Sequence, residues 1–224
     1  MKLKCLASGS KGNCYILTDD STSKSLILDA GISWKRIQKG LNYTIVNVDG
    51  CLISHAHSDH VLSANDIEKC GIPVFRPYES FQPSRRFGEW LAYPFSLPHD
   101  GVPCFGFYVR NGDFGILYLT DFEYCQYTFK SKAVNTIIIE CNHMDDVEMD
   151  ENSPNYNHVF MGHSSLSTAC GFIKANQTEY LKSVVLVHLS ESNADKNKMI
   201  ETVKDVVGDG VNVYAVTGTT EIEI

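Results

Sequence analysis

Three histidines and an aspartate crowd into the run Ser54-His-Ala-His-Ser-Asp-His60. Imidazole and carboxylate are ligands for zinc, manganese or iron, and no thiolate is needed beside them. The spacing has a geometric reason. Side chains two apart on an extended segment point to the same side, so His55 and His57 can grip one ion together. Asp59 and His60 lie past a turn and can reach a second ion beside the first. The run follows the apolar, strand-like Gly50–Ile53 and precedes helical spacing that begins near Asp59. It therefore sits on a sharp strand-to-helix turn.

Two metals need more than four ligands, and the chain offers them in a consistent place. His99 follows an apolar run that starts at Leu91, Asp121 follows Gly115–Thr120, and His188 follows Ser183–Val187. Each stands just beyond the end of a strand-like segment, which is how residues distant in sequence gather on one rim of a sheet. Two adjacent divalent ions would make hydroxide from a shared water at neutral pH and stabilise charge that develops on the substrate. That chemistry suits a phosphodiester, a β-lactam, a thioester or a lactone, and the metals alone do not choose among them.

The elements that must position these residues read as follows. Strand-like runs are Leu3–Ala7, Asn13–Leu17, Ser25–Leu28, Gly50–Ile53, Pro73–Phe75, Leu91–Ser96, Cys104–Val109, Gly115–Leu119, Thr136–Ile139, Val184–His188 and Val211–Ala215. Helical spacing appears over Asp59–Cys70, Ser165–Ala175 and Ala194–Val207, with Asp195 as a cap and Gly208 as a stop for the last. Strands first, then strands alternating with helices, predict an α/β (α+β) chain with two sheets and helices packed outside them. The segment Asn142–His158 breaks the pattern with Asp145, Asp146, Glu148, Asp150 and Glu151. We read an acidic loop over about 142–160, as a solvated flap or, functionally, a lid or subunit contact.

At 224 residues the chain reads as one domain, 1–224. It carries 19 Lys and Arg against 27 Asp and Glu, a formal charge of −8, which disfavours a strongly basic nucleic-acid or membrane binder. A small basic groove and bound metal ions remain compatible with it. The eight cysteines form no C-x-x-C pair, so a zinc ribbon is excluded and buried reduced thiols are expected. No run of about 18 apolar residues is present and the N-terminus lacks an apolar core of signal-peptide length. A cytoplasmic location is the expectation.

The His55-x-His57-x-Asp59-His60 run, Asp29 in Leu26-Ile-Leu-Asp-Ala-Gly31, and His99, Asp121 and His188 together resemble the metallo-β-lactamase fold superfamily. Ser8-Gly-Ser-Lys-Gly-Asn13, Pro98-His-Asp-Gly101, Ile139-Glu-Cys-Asn-His143, Gly162-His-Ser-Ser165 and His188-Leu-Ser-Glu-Ser-Asn193 look like its YycJ (WalJ) branch, with ribonuclease Z as a wider relative. The resemblance implies an αββα sandwich of two mixed sheets flanked by helices, with two ions, Zn²⁺ or Mn²⁺, at one edge. It assigns His55, His57 and His99 to the first ion, Asp59, His60 and His188 to the second, Asp121 as the bridge and Asp29 as a supporting hydrogen-bond partner. The long arm with which ribonuclease Z grips transfer RNA has no counterpart, and His57 stands where flavodiiron proteins carry Glu. Neither transfer-RNA maturation nor redox chemistry is expected.

In phosphodiesterase branches of this superfamily a histidine in the region of His163 lies near the scissile phosphate. His163 could protonate the leaving oxygen or stabilise the phosphorane-like transition state, and it and Asp59 are the catalytic candidates. Ser164 and Ser165 start the following helix, whose amides would suit a phosphate. Ser10 and Asn13, in a tight turn that is not a P-loop, and His143 complete the substrate-contact candidates. Arg85 and Arg86 read as a solvated pair. The leading expectation is a YycJ-like nuclease that takes nucleotides from nucleic-acid ends. The alternative is a cyclic-nucleotide phosphodiesterase of the phage anti-Pycsar type. A thioester or lactone hydrolase and a non-catalytic metal scaffold are weaker readings. No membrane partner is expected, and a homodimer is open.

Overall fold

The computed structural model describes residues 1–147 and 162–224. The acidic loop expected at about 142–160 lies outside the described residues from 148 onward. Among the described residues the strands, in chain order, are β1 (Lys2–Ala7), β2 (Cys14–Thr18), β3 (Ser25–Leu28), β4 (Val48–Leu52), β5 (Val74–Phe75), β6 (Arg85–Phe87) and β7 (Trp90–Leu97). They continue with β8 (Cys104–Asn111), β9 (Phe114–Leu119), β10 (Thr136–Glu140), β11 (Ser183–Val187), β12 (Asn212–Ala215) and β13 (Thr220–Glu223). The helices are α1 (Trp34–Gly40), α2 (Ser58–Val61), α3 (Ala64–Lys69), α4 (Leu166–Asn176) and α5 (Lys196–Val207).

Two sheets form, with orders β13-β1-β2-β3-β4-β5 and β12-β11-β10-β9-β8-β7-β6. Both are mixed. In the first, β3, β4 and β5 run parallel while the remaining pairs are antiparallel. In the second, β9 to β12 are parallel and β6 to β9 antiparallel. The expected architecture is therefore the one observed.

Period-two alternation makes the layers. In β10, Ile138 packs with Tyr15, Leu17, Phe107, Tyr118 and Val185 between the sheets. Its neighbours Ile137 and Ile139 point the other way, against Ala169 and Ile173 of α4 and Met199 and Val203 of α5. On the outer face of the first sheet Ile16, Ile27 and Cys51 meet Ile37 of α1 and Ile67 of α3. Strands buried on both faces read as continuous apolar runs, as Ile137–Ile139 and Val184–Val187 do.

Three elements escaped the sequence reading. Helix α1 buries only Ile37, so its apolar signal is one residue deep. Strands β6 and β13 carry mostly polar or exposed positions at sheet edges. The single helix expected over Asp59–Cys70 is instead split into α2 and α3. Ser63 causes the break: its amide donates to Ala30 O at 2.9 Å and its Oγ to Ile32 O at 2.5 Å, which pulls the chain off its helical path.

That tie belongs to a set of backbone bonds that knit three loops together. Ala30 N donates to His60 O, Gly31 N to Asn13 O, and Asn13 N to Asp59 O, all at 2.8–2.9 Å. The approach is so close that a Cβ on Gly31 would stand 1.5 Å from the Asp59 carbonyl oxygen. Gly31→Ala is therefore expected to destabilise the fold by about 2 kcal/mol or more, in the range of overpacked sites. Its thermal midpoint should fall by roughly 5 °C or more. Calorimetry of the purified variant checks this, and an unchanged midpoint would show that the loops can part without cost.

Candidate metal centre

The ligand-type side chains all leave the sheets at one rim. Asp29 follows β3 directly, His188 follows β11 directly, and Asp121 lies two residues beyond β9. All three adopt left-handed backbone, with φ of 55°, 54° and 51°. Such conformations are uncommon outside glycine and collect at functional sites, where surrounding bonds hold them. For Asp29 the holding bonds are its amide to Leu52 O at 2.8 Å and its carboxylate, which accepts from Ser54 N, Ser54 Oγ and Tyr118 Oη. For His188 it is the amide, which donates to Ser8 Oγ at 2.7 Å.

Two groups of donor atoms converge at the rim, and a third, Asp121, Glu140, His163 and His188, overlaps the second. In the first, His57 Nδ1 lies 3.0 Å from His55 Nε2 and 3.3 Å from His99 Nε2. The far side of each outer ring is anchored: His55 Nδ1 meets Ser54 Oγ at 2.9 Å and His99 Nδ1 donates to Gly162 O at 2.7 Å. In the second, His60 Nε2 lies 3.4 Å from both Asp59 Oδ2 and Asp121 Oδ2, and its Nδ1 is held by Asp29 at 2.9 Å. Nitrogens about 2.05 Å from a tetrahedral zinc stand about 3.3 Å apart, so these separations suit an ion. Asp121 Oδ2 also comes within 3.9 Å of His55 Nε2, which puts one carboxylate between the two groups. His188 joins Asp59, His60 and Asp121, with one donor atom from each within 4.8 Å of the others.

The charges fit cations. Burial, reinforced by His60, pushes His55 down to about 2 and leaves its lone pair available. Burial would also discharge His60, but Asp121 and Asp29 flank it and hold it well above the ordinary imidazole range. Asp121 resists burial in turn, held well below the carboxylate range by His188 and His60. The proton on His60 thus balances buried carboxylates, a task that a divalent ion would take over. His188 Nε2 is buried and has no hydrogen-bond partner among the described residues. An orphaned buried nitrogen is costly unless something such as a metal uses its lone pair.

Glu140 is the residue that sequence reasoning missed. It ends the apolar strand β10 and is fully buried. One oxygen accepts from His188 Nδ1 and from His163 Nδ1, each at 2.7 Å. The other accepts from Phe122 N at 3.1 Å and Ser164 N at 3.2 Å. Both imidazoles are thereby fixed with a proton on Nδ1, and for His188 this presents Nε2, the usual arrangement behind a metal-binding histidine. Burial would lower His163, yet Glu140 outweighs it and raises this histidine to about 9. A glutamate that terminates an isoleucine run was the available signal.

The other expected contacts divide. His163 and Ser10 line a cavity of about 990 Å³ beside the metal-type cluster. Asn13 and Ser164, expected as substrate contacts, are fully buried, and their side chains are engaged by protein. Asn13 Nδ2 donates to Gly9 O and lies 2.9 Å from His60 Nε2, and Ser164 Oγ donates to Glu140 O at 2.8 Å. Asn13 thus backs His60, and Ser164 backs Glu140. Ser165 caps α4, accepting from Thr168 N. His143 is buried, with Nδ1 on Met144 O at 2.9 Å. The Arg85–Arg86 pair is only half solvated: Arg85 stacks over Phe75 and Phe87 and donates to Val74 O.

Comparison with known proteins gives a consistent picture. The model of the metallo-beta-lactamase superfamily matches residues 7–130. Exodeoxyribonuclease YycJ of Bacillus anthracis is 29% identical over 171 residues, which is 64% of this chain and 63% of that protein. Exodeoxyribonuclease WalJ of Streptococcus pneumoniae is 28% identical over 176 residues, 66% of this chain and 64% of its own. The chain thus spans less than two thirds of either relative. Among solved structures, the metallo-beta-lactamase fold protein YhfI from Bacillus subtilis superposes with a TM-score of 0.73 at 16% identity, covering 99% of both chains. The short form of human tRNase Z superposes at 0.62 and 16%, covering 100% of this chain and 99% of that one. At such identities the superpositions speak for the fold.

Glu140→Gln keeps the shape but cannot accept from both imidazoles with a charged oxygen. We expect metal affinity at the site that contains His188 to fall by about 10–100-fold, as for other groups that orient a ligand from behind. Competition against a chromophoric chelator reads this directly. Two unaltered binding constants would rule Glu140 out as an anchor.

Proposed function

The chain belongs to the metallo-beta-lactamase superfamily, and on that premise we propose that it is a two-metal phosphodiesterase acting on nucleic acid, most simply an exonuclease. Its family and its two donor groups make it a metal-dependent hydrolase. The observation that carries the choice of bond is the Glu140–His163 pair, a buried carboxylate that presents an imidazole to the cavity beside the metal-type cluster. The names of the two exodeoxyribonuclease relatives support the same reading.

We assign His55, His57 and His99 to one ion and Asp59, His60 and His188 to the other, with Asp121 shared. The donor separations, the orphaned His188 nitrogen and the all-imidazole and carboxylate chemistry suit Zn²⁺ or Mn²⁺. Glu140 stays behind the ligands, since its oxygens are spent on two imidazoles and two amides. Bound there, the ions would supply hydroxide at neutral pH and offset charge on the phosphoryl oxygens.

The chain's own groups do the rest. Burial would raise the Asp59 carboxyl, but His60 outweighs it and keeps the group ionised, and as a carboxylate it is the acceptor for a proton from the attacking water. His163, its Nδ1 held by Glu140, gives a proton from Nε2 to the departing sugar oxygen. Left unprotonated, that alkoxide is a poor leaving group, which is why an acid is needed. Asp29 carries no step; it holds His60 and Ser54 in place. All eight cysteines are free, which accords with a reducing, cytoplasmic setting. No described helix is long and apolar enough to cross a membrane.

The test uses protein reconstituted with Zn²⁺ or Mn²⁺. Bis-p-nitrophenyl phosphate and 5′-labelled DNA should both be hydrolysed, and chelation or His57→Ala should abolish both activities. His163→Ala should split them. Its turnover of DNA should fall by about 10²–10⁴-fold, the usual worth of a general acid. The p-nitrophenyl ester should be far less affected, because p-nitrophenolate leaves without a proton. Two bound ions with no turnover of either substrate would overturn the phosphodiesterase reading, and equal losses on both would remove the acid role from His163.

A further inference from the structure

The cavity of about 990 Å³ is bounded by the loop after β1, by α1, by the chain that follows His188, and by Thr217–Thr219 between the last two strands. His163 and His188 form part of its wall, so the hydrolytic centre opens into it. Its volume lies at the top of the range of about 300–1,000 Å³ that engulfs a single small ligand. The lining is unusual for such a pocket. It is built from serines, glycines and threonines, and no Phe, Tyr or Trp of the described residues takes part.

Its charge also runs against the rest of the chain. The whole protein carries −8, yet the wall holds Lys11, Arg36 and Lys196 against the single carboxylate of Glu191. Among the described residues the Arg36 guanidinium hydrogen-bonds only Leu6 O, through Nη2 at 3.2 Å, and neither it nor Lys196 lies within ion-pair distance of a described carboxylate. Lys11 does meet Glu191, at 2.9 Å, but both side chains are more than four-fifths exposed. A pair so fully solvated is weak and exchanges readily for another anion. The three cations come from three separate segments, so only an anionic group in the cavity gives them a common purpose.

We propose that this cavity is the track for the sugar-phosphate backbone of a single nucleic-acid strand, with Lys11, Arg36 and Lys196 as its phosphate contacts and with no reading of the bases. The proposal rests on the phosphodiesterase reading and names the substrate class for it. Base recognition in single strands relies on stacking against aromatic faces; the described wall has no Phe, Tyr or Trp, and its two imidazoles, His163 and His188, are both held by Glu140. A cyclic mononucleotide would need its base or ribose gripped, and it would leave cations on distant segments without a phosphate. A strand satisfies all three. Glu191 then acts against binding, by holding Lys11 and by repelling phosphate.

The test measures binding of metal-loaded protein to a fluorescent, hydrolysis-resistant phosphorothioate oligonucleotide by anisotropy, from 50 to 200 mM KCl. Three phosphate contacts predict a slope of log K against log salt near −2, at about 0.7 per contact for single strands. Lys11→Gln, Arg36→Gln and Lys196→Gln should each flatten the slope by about 0.7. Glu191→Gln should tighten binding, and strands of different sequence should bind within a few-fold of one another. Wild-type hydrolysis of bis-p-nitrophenyl phosphate is followed in parallel. Oligonucleotide binding that keeps its slope in all three variants would overturn the track. So would ester hydrolysis accompanied by tight binding of cyclic GMP or cyclic UMP and none of the strand. Salt-dependent strand binding without ester hydrolysis would uphold the track and sink the catalytic reading instead.

Discussion

Three buried carboxylates govern this molecule. Asp29, Asp121 and Glu140 stand at the rim where the two sheets end, each with almost no solvent contact. An ionised carboxylate in such a place is costly unless imidazoles, amides or a cation meet it. Each has recruited histidines: Asp29 holds His60, Asp121 faces His60 and His188, and Glu140 holds His163 and His188. The network is closed from behind by amides and hydroxyls and open in front toward the space where donor nitrogens converge. A site of this kind binds cations because the protein has already met the desolvation cost of the charges that attract them.

Backbone geometry and this electrostatics are one design. A strand that ended smoothly would send its next side chain up or down off the sheet. The left-handed turns at Asp29, Asp121 and His188 instead swing these side chains inward across the rim. Local strain is held by long-range bonds, such as Ser8 to the His188 amide and Leu52 to the Asp29 amide. The same logic explains the close contact at Gly31, where three loops share a space that leaves no room for a Cβ. Rigidity of the ligand shell follows, and a rigid shell favours orientation over induced fit.

The surface completes the picture by opposing the bulk charge. A chain with an excess of acids repels polyanions at long range, and salt screens that repulsion within about 10 Å. Cations grouped in one cavity beside the reactive rim restrict attraction to the place where it is useful. Small side chains there leave room, and no Phe, Tyr or Trp of the described residues lines the cavity.

The residues and the tertiary fold divided the work in a physically sensible way. His55, His57, Asp59 and His60 could be picked out from sequence as candidates because they lie within six residues of one another. The layers were likewise predictable, since apolar alternation in runs such as Ile137–Ile139 declares which faces are buried. Glu140 could not be recognised that way. Its meaning depends on β10 lying parallel to β11 in the register that sets Glu140 against Val187, so that the next residue, His188, reaches its carboxylate. Asn13 and Ser164 looked like substrate contacts until the packing enclosed them. The grouping of Lys11, Arg36 and Lys196 was equally invisible, because residues up to 185 positions apart share a cavity only after both sheets have closed. Sequence by itself determined which candidate ligands the chain has and which faces it buries, because those depend on neighbours along the chain. Tertiary structure alone decided how the ligands are charged, anchored and approached, because those depend on neighbours in space.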